Sequence, residues 1–168
     1  GIRKVMISAE ILVPKGESTP LRIAGYEWSE DNAWMLIYTN TKRVWRQNTL
    51  GDYWVMSLIN GKLKKIGGNA KPSSLMFAKF SPDGQKVGYV RENNLYVEDL
   101  WGGKITQLTK DGSKTMINGT SDWVNEEEFG LRDCWRWSPD SQSIAYWQMD
   151  SSGIKDFILI NNTDELYP

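Results

Sequence analysis

Short apolar segments alternate with polar turns along most of the chain. In its middle third, four such segments (SLMFAKFS, KVGYVRE, LYVEDL and KITQLTK) are separated by PDG, Asn93-Asn94 and Gly102-Gly103. Turn residues of this kind favour tight β-hairpins, so the pattern predicts four short antiparallel strands. Several strands are continuous apolar runs rather than alternations, which indicates that both faces of the sheet are covered.

The start of this four-strand unit occurs three times. It reads WSEDNAWMLIY from Trp28, FSPDGQKVGY from Phe80 and WSPDSQSIAY from Trp137. Each copy opens with an aromatic residue and Ser, passes through a turn, and ends its apolar segment in Tyr38, Tyr89 or Tyr146. A four-stranded sheet repeated roughly every 50 residues is typical of β-propeller blades. We therefore predict an all-β fold, a partial β-propeller of about three antiparallel blades.

The repeat divides the chain, which reads as a fragment of a single propeller domain over residues 1–168. The predicted units are blade one at about 21–67, blade two at about 73–110, an insert at 111–133, and an incomplete blade three at about 134–168. A further stretch, residues 39–52, interrupts blade one. The N-terminal RKVMISAEILV is interpreted as a strand of a preceding blade. Insertions become loops on one face of a repeat fold, where function is expected.

Composition excludes several kinds of site. The 168 residues carry 20 Lys and Arg against 21 Asp and Glu, a formal charge of -1, which argues against a nucleic-acid partner. The absence of His and the single Cys134 exclude an imidazole-dependent site, an intrachain disulfide and a thiolate metal cage. We expect no metal and no cofactor. No apolar run reaches the length of a membrane helix, and no targeting segment is recognised.

Of the two interruptions of the repeat, the insert contains the more specific candidate binding motif. In SDWVNEEEF, Ser121 or Asp122 is a good helix N-cap, and acidic residues suit the positive end of a short helix. Glu126, Glu127 and Glu128 cannot all point one way, because consecutive helical residues are about 100° apart. Two neighbours can nevertheless converge on one protonated amine and accept its charge-assisted hydrogen bonds. The alternative is an acidic, solvated helix start.

The stretch that interrupts blade one contains Arg46 beside Trp45. A guanidinium is a planar fork that can hold a carbonyl or a carboxylate, which makes Arg46 a candidate binding residue. The alternative is an ordinary surface charge. Trp45 and Trp123 are expected to support the two interruptions of the repeat.

Taken together, these motifs resemble a known family. DWVNEEEF (122–129), VWR (44–46) and the SPDG-type blades are similar to the N-terminal propeller of dipeptidyl peptidase IV-type serine exopeptidases, in the prolyl oligopeptidase superfamily. The resemblance covers the chain from about residue 25 to its end. Members often have Tyr at the position of Asn125, and vertebrate members carry several propeller cysteines. The single cysteine of this chain suggests a bacterial-type member.

The resemblance implies a role for individual residues. Glu127 and Glu128 match the pair that binds the free α-ammonium of a peptide substrate, and Arg46 matches the arginine that holds a backbone carbonyl of that substrate. The expected supporting residues are Asp122, Trp123, Trp45 and Glu126. The parent enzyme would be a serine-type dipeptidyl peptidase that releases N-terminal dipeptides, typically after Pro. This chain has neither His nor a GxSxG motif, so it should be inactive alone.

The resemblance also implies partners and a location. The expected partners are peptides with a free N-terminus, a C-terminal α/β-hydrolase domain of the same protein that carries the Ser/Asp/His triad, and a second copy in a homodimer. The expected location is extracytoplasmic, in a bacterial periplasm or cell envelope. Two alternatives stay open: a non-catalytic propeller that serves as a scaffold for protein interactions, and a tripeptidyl peptidase or endopeptidase relative.

Overall fold

The computed structural model describes residues 4–156 and 158. Within them the chain forms the short antiparallel strands that the apolar segments predict. Blade one contains β1 (Ile23–Trp28), β2 (Trp34–Val44), β3 (Gln47–Ser57) and β4 (Leu63–Lys65). Blade two repeats this arrangement with β5 (Leu75–Phe80), β6 (Lys86–Arg91), β7 (Asn94–Asp99) and β8 (Ile105–Gln107). The two blades join where Gly51 of β3 pairs with Leu75 of β5.

The insert and the start of blade three follow blade two. The insert contains β9 (Met116–Asn118) and α1 (Trp123–Phe129), so the short helix predicted for the acidic run is confirmed. Blade three begins with the antiparallel pair β10 (Trp135–Trp137) and β11 (Ile144–Tyr146). Past Trp147 the chain continues as β12 (Gln148–Asp150), which pairs with β9 of the insert. The strand predicted in DFILINN lies mostly outside the described residues.

One hydrogen-bonded turn explains the repeated phrase. In each copy the Ser hydroxyl donates to the Asp carboxylate two residues later, in Ser29–Asp31, Ser81–Asp83 and Ser138–Asp140. The Ser oxygen then accepts a backbone N–H at the start of the next strand. The residue after the Asp has a left-handed backbone in all three copies: Asn32 at φ 55°, Gly84 at 67° and Ser141 at 61°. This turn joins the first two strands of every blade.

The tyrosine that ends the first copy, which is one residue longer than the other two, does not occupy the same position as the other tyrosines. In every copy the aromatic residue before the Ser pairs with the residue seven positions later, so the turns align and the extra residue of the first copy lies in β2. Ile37, rather than Tyr38, therefore corresponds to Tyr89, and both are completely buried. Successive strand residues point to opposite faces, so the extra residue places Tyr38 on the other face of its sheet.

Apolar side chains fill the space between successive blades. Blades one and two share a cluster that includes Leu36, Val55, Leu75 and Tyr89. Blade two packs on blade three through Val90, Leu95 and Trp135. Burial on both faces of the sheets explains why these strands read as continuous apolar runs.

The N-terminal segment does not form the predicted strand. Residues Ala9–Leu12 form a short 3₁₀ helix, and Leu12 packs with Met35, Ile37 and Met56 on blade one. The buried side chain of Leu12, rather than strand pairing, attaches this segment to the blade.

Residues 39–52 are likewise not a loop. Strands β2 and β3 continue through them to Val44 and Gln47, which pair directly, so blade one carries a long β-hairpin. We call residues 39–52 the hairpin. The register shifts between Thr39 and Lys42 and again at Arg43, as expected for strands that bend away from their sheet.

Candidate functional site

The hairpin of blade one presents Arg46 at its tip. Trp45 has a φ of 43°, a left-handed backbone that the two-residue turn between Val44 and Gln47 requires. The Arg43 Nε donates to the Trp45 carbonyl at 2.8 Å, which helps to hold the turn. At the base of the hairpin the Tyr38 hydroxyl lies 2.8 Å from the Asn48 carbonyl oxygen and 2.9 Å from that of Leu50, in the neighbouring strand.

Helix α1 is fixed at both of its ends. Asp122 is the N-cap: its side chain accepts from the backbone N–H of Asn125 at 2.8 Å and from the Asn125 amide at 3.0 Å. Gly130 ends the helix with a φ of 65°, and the N–H of Leu131 donates to the Asn125 carbonyl at 3.1 Å. The Gly130 N–H donates to the Glu126 carbonyl at 3.1 Å, so this left-handed glycine forms an αL C-cap. The acidic run is therefore presented on a capped helix.

The three glutamates of α1 have different environments. Glu126 is buried and forms an ion pair with the Nε of Arg132 at 3.3 Å. The side chain of Glu127 is only 5% exposed, whereas Glu128 is an exposed residue. Glu128 makes no ion pair within residues 4–156 and 158. The divergence agrees with the angle of about 100° between consecutive helical residues.

The structure brings together Arg46 and Glu127. The Nε of Arg46 lies 2.6 Å from Oε2 of Glu127, and the Arg46 side chain remains 75% exposed. A guanidinium has five N–H donors, so donors beyond the one on Glu127 remain for another acceptor. The hairpin of blade one thus reaches the helix that lies between blades two and three.

A cavity of about 770 Å³ is lined by Trp45 and Glu126, the chain neighbours of Arg46 and Glu127, although the ion pair itself does not line it. The two tryptophans predicted to support the interruptions, Trp45 and Trp123, both line it and are each about half exposed. Asp122 and Glu126 contribute polar wall, and Val44, Val124, Met76 and Ile117 contribute apolar wall. The four supporting residues predicted from the sequence therefore surround one space.

Two anchors of the insert are not evident from the sequence. Arg132 neutralises the buried carboxylate of Glu126 from beyond the C-cap. Lys79, in the first strand of blade two, forms an ion pair with Asp133 and lies 4.0 Å from the centre of the Trp135 ring. Burial lowers the pKa of Lys79, and Asp133 opposes that shift. Lys79 and Asp133 are 54 residues apart and meet only after blade two and the insert have packed together, so no local pattern relates them.

Cys134 follows Asp133 at the end of the insert. It is buried, and burial raises the pKa of its thiol. A buried thiol with a raised pKa is a core residue rather than a nucleophile.

Neither a metal cluster nor a membrane helix emerges from the described part of the chain. Residues 4–156 and 158 contain no group of three or more His, Cys, Asp or Glu side chains arranged to hold a metal ion. No helix among them is long and apolar enough to span a membrane.

Comparison with known proteins places this arrangement in context. Residues 29–168 match the family described as "Dipeptidyl peptidase IV (DPP IV) N-terminal region". Dipeptidyl aminopeptidase B of Saccharomyces cerevisiae is 30% identical over 98% of this chain and 20% of its own length. The Podospora anserina protein named "Probable dipeptidyl-aminopeptidase B" is 33% identical over 79% of this chain and 15% of its own length.

A solved structure is similar as well. The crystal structure of Porphyromonas gingivalis dipeptidyl peptidase 4 superposes with a TM-score of 0.80 at 27% identity, over 97% of this chain and 23% of that one. The partial propeller predicted from the sequence repeat is confirmed by this match. The chain spans about a fifth of the length of the curated relatives that it matches over nearly its whole length. Because the relatives include fungal and bacterial proteins, a bacterial source stays a prediction.

Proposed function

The chain belongs to the family of dipeptidyl peptidase IV N-terminal regions, and from that premise we propose that it binds the free N-terminus of peptide substrates. In this proposal Glu127 and Glu128 bind the α-ammonium, and Arg46 holds a backbone carbonyl near the second residue. The parent enzyme is a serine-type dipeptidyl peptidase that releases N-terminal dipeptides, typically after Pro. The names of the relatives, dipeptidyl aminopeptidase and dipeptidyl peptidase, support this activity.

One observation carries the proposal. Arg46 and Glu127 come from different parts of the repeat, and their side chains meet at 2.6 Å. The resemblance assigns both of them to one substrate. A peptide whose ammonium and carbonyl are a few atoms apart needs its two partners this close together.

The environment of the two groups suits their proposed roles. Glu127 is largely screened from water, so a charge-assisted hydrogen bond from an ammonium to its carboxylate is stronger there than at an open surface. Glu128 is exposed and can accept a second N–H of the same ammonium. The free donors of Arg46 can reach a neutral carbonyl while its Nε stays on Glu127.

Binding of the substrate N-terminus would determine which peptide bond is cleaved. The distance from the ammonium site to the catalytic Ser fixes which peptide bond reaches that Ser, and this is how such an enzyme counts two residues. We place the Ser/Asp/His triad in a C-terminal α/β-hydrolase domain of the same protein. The full-length protein as a homodimer and an extracytoplasmic location are parts of the same proposal.

Two alternative functions differ from this proposal in what they require of the site and in the products they would release. A propeller that serves only as a scaffold for protein interactions has no need to place Arg46 against Glu127. A tripeptidyl peptidase or an endopeptidase could share this fold but would release products of a different length. Product length, read by mass spectrometry after digestion of a long peptide, distinguishes them.

The test uses the full-length protein and a matched pair of peptides, one with a free N-terminus and one acetylated there. Acetylation removes the positive charge and leaves Glu127 and Glu128 without their partner. We expect kcat/KM to fall by about 100-fold or more. At 1.4 kcal/mol per factor of ten, this is a loss of about 2.8 kcal/mol or more in the free energy of substrate recognition. Equal rates on the two peptides would contradict the proposal and return the acidic run to a solvated helix start.

A further inference from the structure

A closed ring of three side chains attaches the insert at its base. Asn118, at the end of β9, is completely buried, and its Nδ2 donates to Oδ1 of Asp111 at 2.9 Å. Its Oδ1 accepts from Nε2 of Gln148 at 2.9 Å. The Gln148 Nε2 also donates to Oδ2 of Asp111 at 2.8 Å, which closes the ring. The ring thus joins the beginning of the insert, its strand β9 and strand β12 of blade three.

Asn118 also ties the insert to blade two. Its Nδ2 donates to the Asn93 carbonyl at 3.0 Å, and its backbone N–H donates to the same carbonyl at 3.2 Å. Both N–H groups of the Asn118 amide are therefore engaged, and its oxygen accepts a bond as well. No other side chain of this size supplies two donors and one acceptor, so the position is specific for an amide.

The chain between Asn118 and helix α1 has little freedom. Gly119 has a φ of 76°, and a Cβ on it would lie 3.0 Å from side-chain carbons of Leu95 and Val90. Thr120 and Ser121 are both buried, and the Ser121 hydroxyl donates to the Leu131 carbonyl beyond the helix. The N-cap of α1 follows directly. A displacement of Asn118 would therefore pass to the helix instead of being absorbed by a flexible linker.

From this connection we infer that Asn118 is a positioning residue for the N-terminus site: it sets where α1 holds Glu127 relative to Arg46. The inference rests on the proposed function, because it concerns the same site. Asn118 touches neither Arg46 nor Glu127 and acts through the path from β9 to the helix. A residue that only stabilised the fold would lower activity on all peptides alike, whereas a positioning residue changes the preference for a free N-terminus.

The test is made in the full-length protein with the free and acetylated peptides described above. Asn118→Asp keeps the size of the side chain but removes both donors and faces a carboxylate toward Asp111. We expect the ratio of kcat/KM for the free peptide to that for the acetylated peptide to fall at least tenfold. Adding Asp111→Asn in the same chain supplies an amide donor to the new carboxylate and should restore much of that ratio.

A control variant separates positioning from stability. Glu98 is buried in β7, where it accepts from the backbone N–H of Gly67 at 2.8 Å and pairs with Lys64 at 2.7 Å, away from the hairpin and the insert. Glu98→Gln should lower the melting temperature and leave the ratio unchanged. If Asn118→Asp does not fold, Gln148→Met removes two of the three hydrogen bonds of the ring and should lower the ratio in the same direction.

The outcomes are distinguishable. If the unaltered protein prefers free peptides and Asn118→Asp lowers both rates by the same factor, Asn118 only supports the fold and the inference is wrong. If the unaltered protein has no preference, the proposed function itself fails. Hydrogen exchange tests directly whether Asn118 holds α1 in place. The α1 amides should exchange at least ten times faster in Asn118→Asp than in Glu98→Gln, and equal exchange rates in the two variants would overturn the inference.

Discussion

The Arg46 guanidinium and the Glu127 carboxylate meet at 2.6 Å, with the arginine largely exposed and the glutamate largely buried. This asymmetry has an energetic meaning. A buried carboxylate without a partner is costly, so Arg46 stabilises Glu127 in the absence of a peptide. An arriving ammonium would supply a second positive partner to the same carboxylate. Arg46 can therefore both hold Glu127 ready and contact the substrate.

The first prediction concerns the shape of the Arg46 side chain. Arg46→Lys keeps the charge but loses the planar fork that can contact Glu127 and a carbonyl at once. We expect kcat/KM on free-amine peptides to fall about 10- to 150-fold, which corresponds to about 1.5 to 3 kcal/mol for hydrogen bonds to a charged group. Steady-state kinetics of the full-length protein provide the measurement. Arg22→Lys, at an exposed position before β1, should leave the kinetics unchanged, and an equal absence of effect at Arg46 would make it a surface charge.

The blades could be predicted from the sequence because their determinants are local. The Ser and Asp of each turn are two residues apart and bond to each other and to the adjacent backbone, so the same letters give the same turn in every copy. The cap of α1 is local in the same way, since Asp122 bonds to Asn125. Interactions at such short sequence separation leave a pattern that can be read directly.

The remainder depends on packing between distant segments. The first copy is visibly one residue longer than the second, but only the pairing of strands across the turn shows that the extra residue lies in β2 and moves Tyr38 out of register with Tyr89. The ring of Asp111, Asn118 and Gln148 joins residues from the insert and from blade three. These three residues are ordinary polar residues in the sequence, and no neighbouring motif indicates which side chains they will bond to. The family resemblance identifies Arg46 and Glu127 as candidate binding residues. Their contact with each other is seen only in the folded structure.

The second prediction concerns the rigidity of the hairpin. Tyr38→Phe removes the hydroxyl that reaches the carbonyls of Asn48 and Leu50. We expect a loss of about 0.5 to 1.5 kcal/mol in stability, the usual net value of a hydrogen bond, and faster hydrogen exchange in the hairpin than elsewhere. Hydrogen exchange with mass spectrometry makes the measurement. Uniformly unchanged exchange would show that the hydroxyl does not hold the hairpin.

Tyr38 should also make the stability of the protein depend on pH in the alkaline range. Burial raises the pKa of Tyr38 from an ordinary 10.0 to about 12. Because the folded value is the higher one, the contribution of Tyr38 to stability is complete below about pH 10 and is lost as the pH rises through about 12. In a comparison over this range, the stability difference between the unaltered protein and Tyr38→Phe should shrink. A constant difference would contradict this pKa.

The third prediction concerns the contact between blades two and three. A Cβ on Gly88 would lie 2.6 Å from Cη2 of Trp135, a ring that is buried in the shared cluster. Gly88→Ala should therefore lower stability by about 1 to 3 kcal/mol, the usual cost of overpacking. Gly153→Ala is the matched control, because no atom lies within 4 Å of the Cβ it would add. Thermal unfolding of the full-length variants compares them, and equal melting temperatures would argue against this close packing.

The fourth prediction separates the two glutamates of the proposed site. Glu127 is enclosed and paired with Arg46, whereas Glu128 is exposed. Each should contribute to binding one ammonium, but Glu127→Gln also releases Arg46 from its ion pair. We therefore expect Glu127→Gln to lower kcat/KM on free-amine peptides more than Glu128→Gln does. Glu17→Gln, an exposed acidic position near the N-terminus of the chain, provides a control that should have no effect.

The double variant shows whether the two glutamates act on one charge. If both carboxylates bind the same ammonium, the loss caused by removing the second is smaller once the first is gone, so the double variant should cost less than the sum of the single ones. On the acetylated peptide, which has no ammonium, Glu128→Gln should differ little from the unaltered protein, and the variants without Glu127 should lose only the smaller part that comes from the release of Arg46. Kinetics with both peptides give the complete cycle. Strict additivity on the free peptide, or equal losses on both peptides, would show that Glu127 and Glu128 do not share a substrate ammonium.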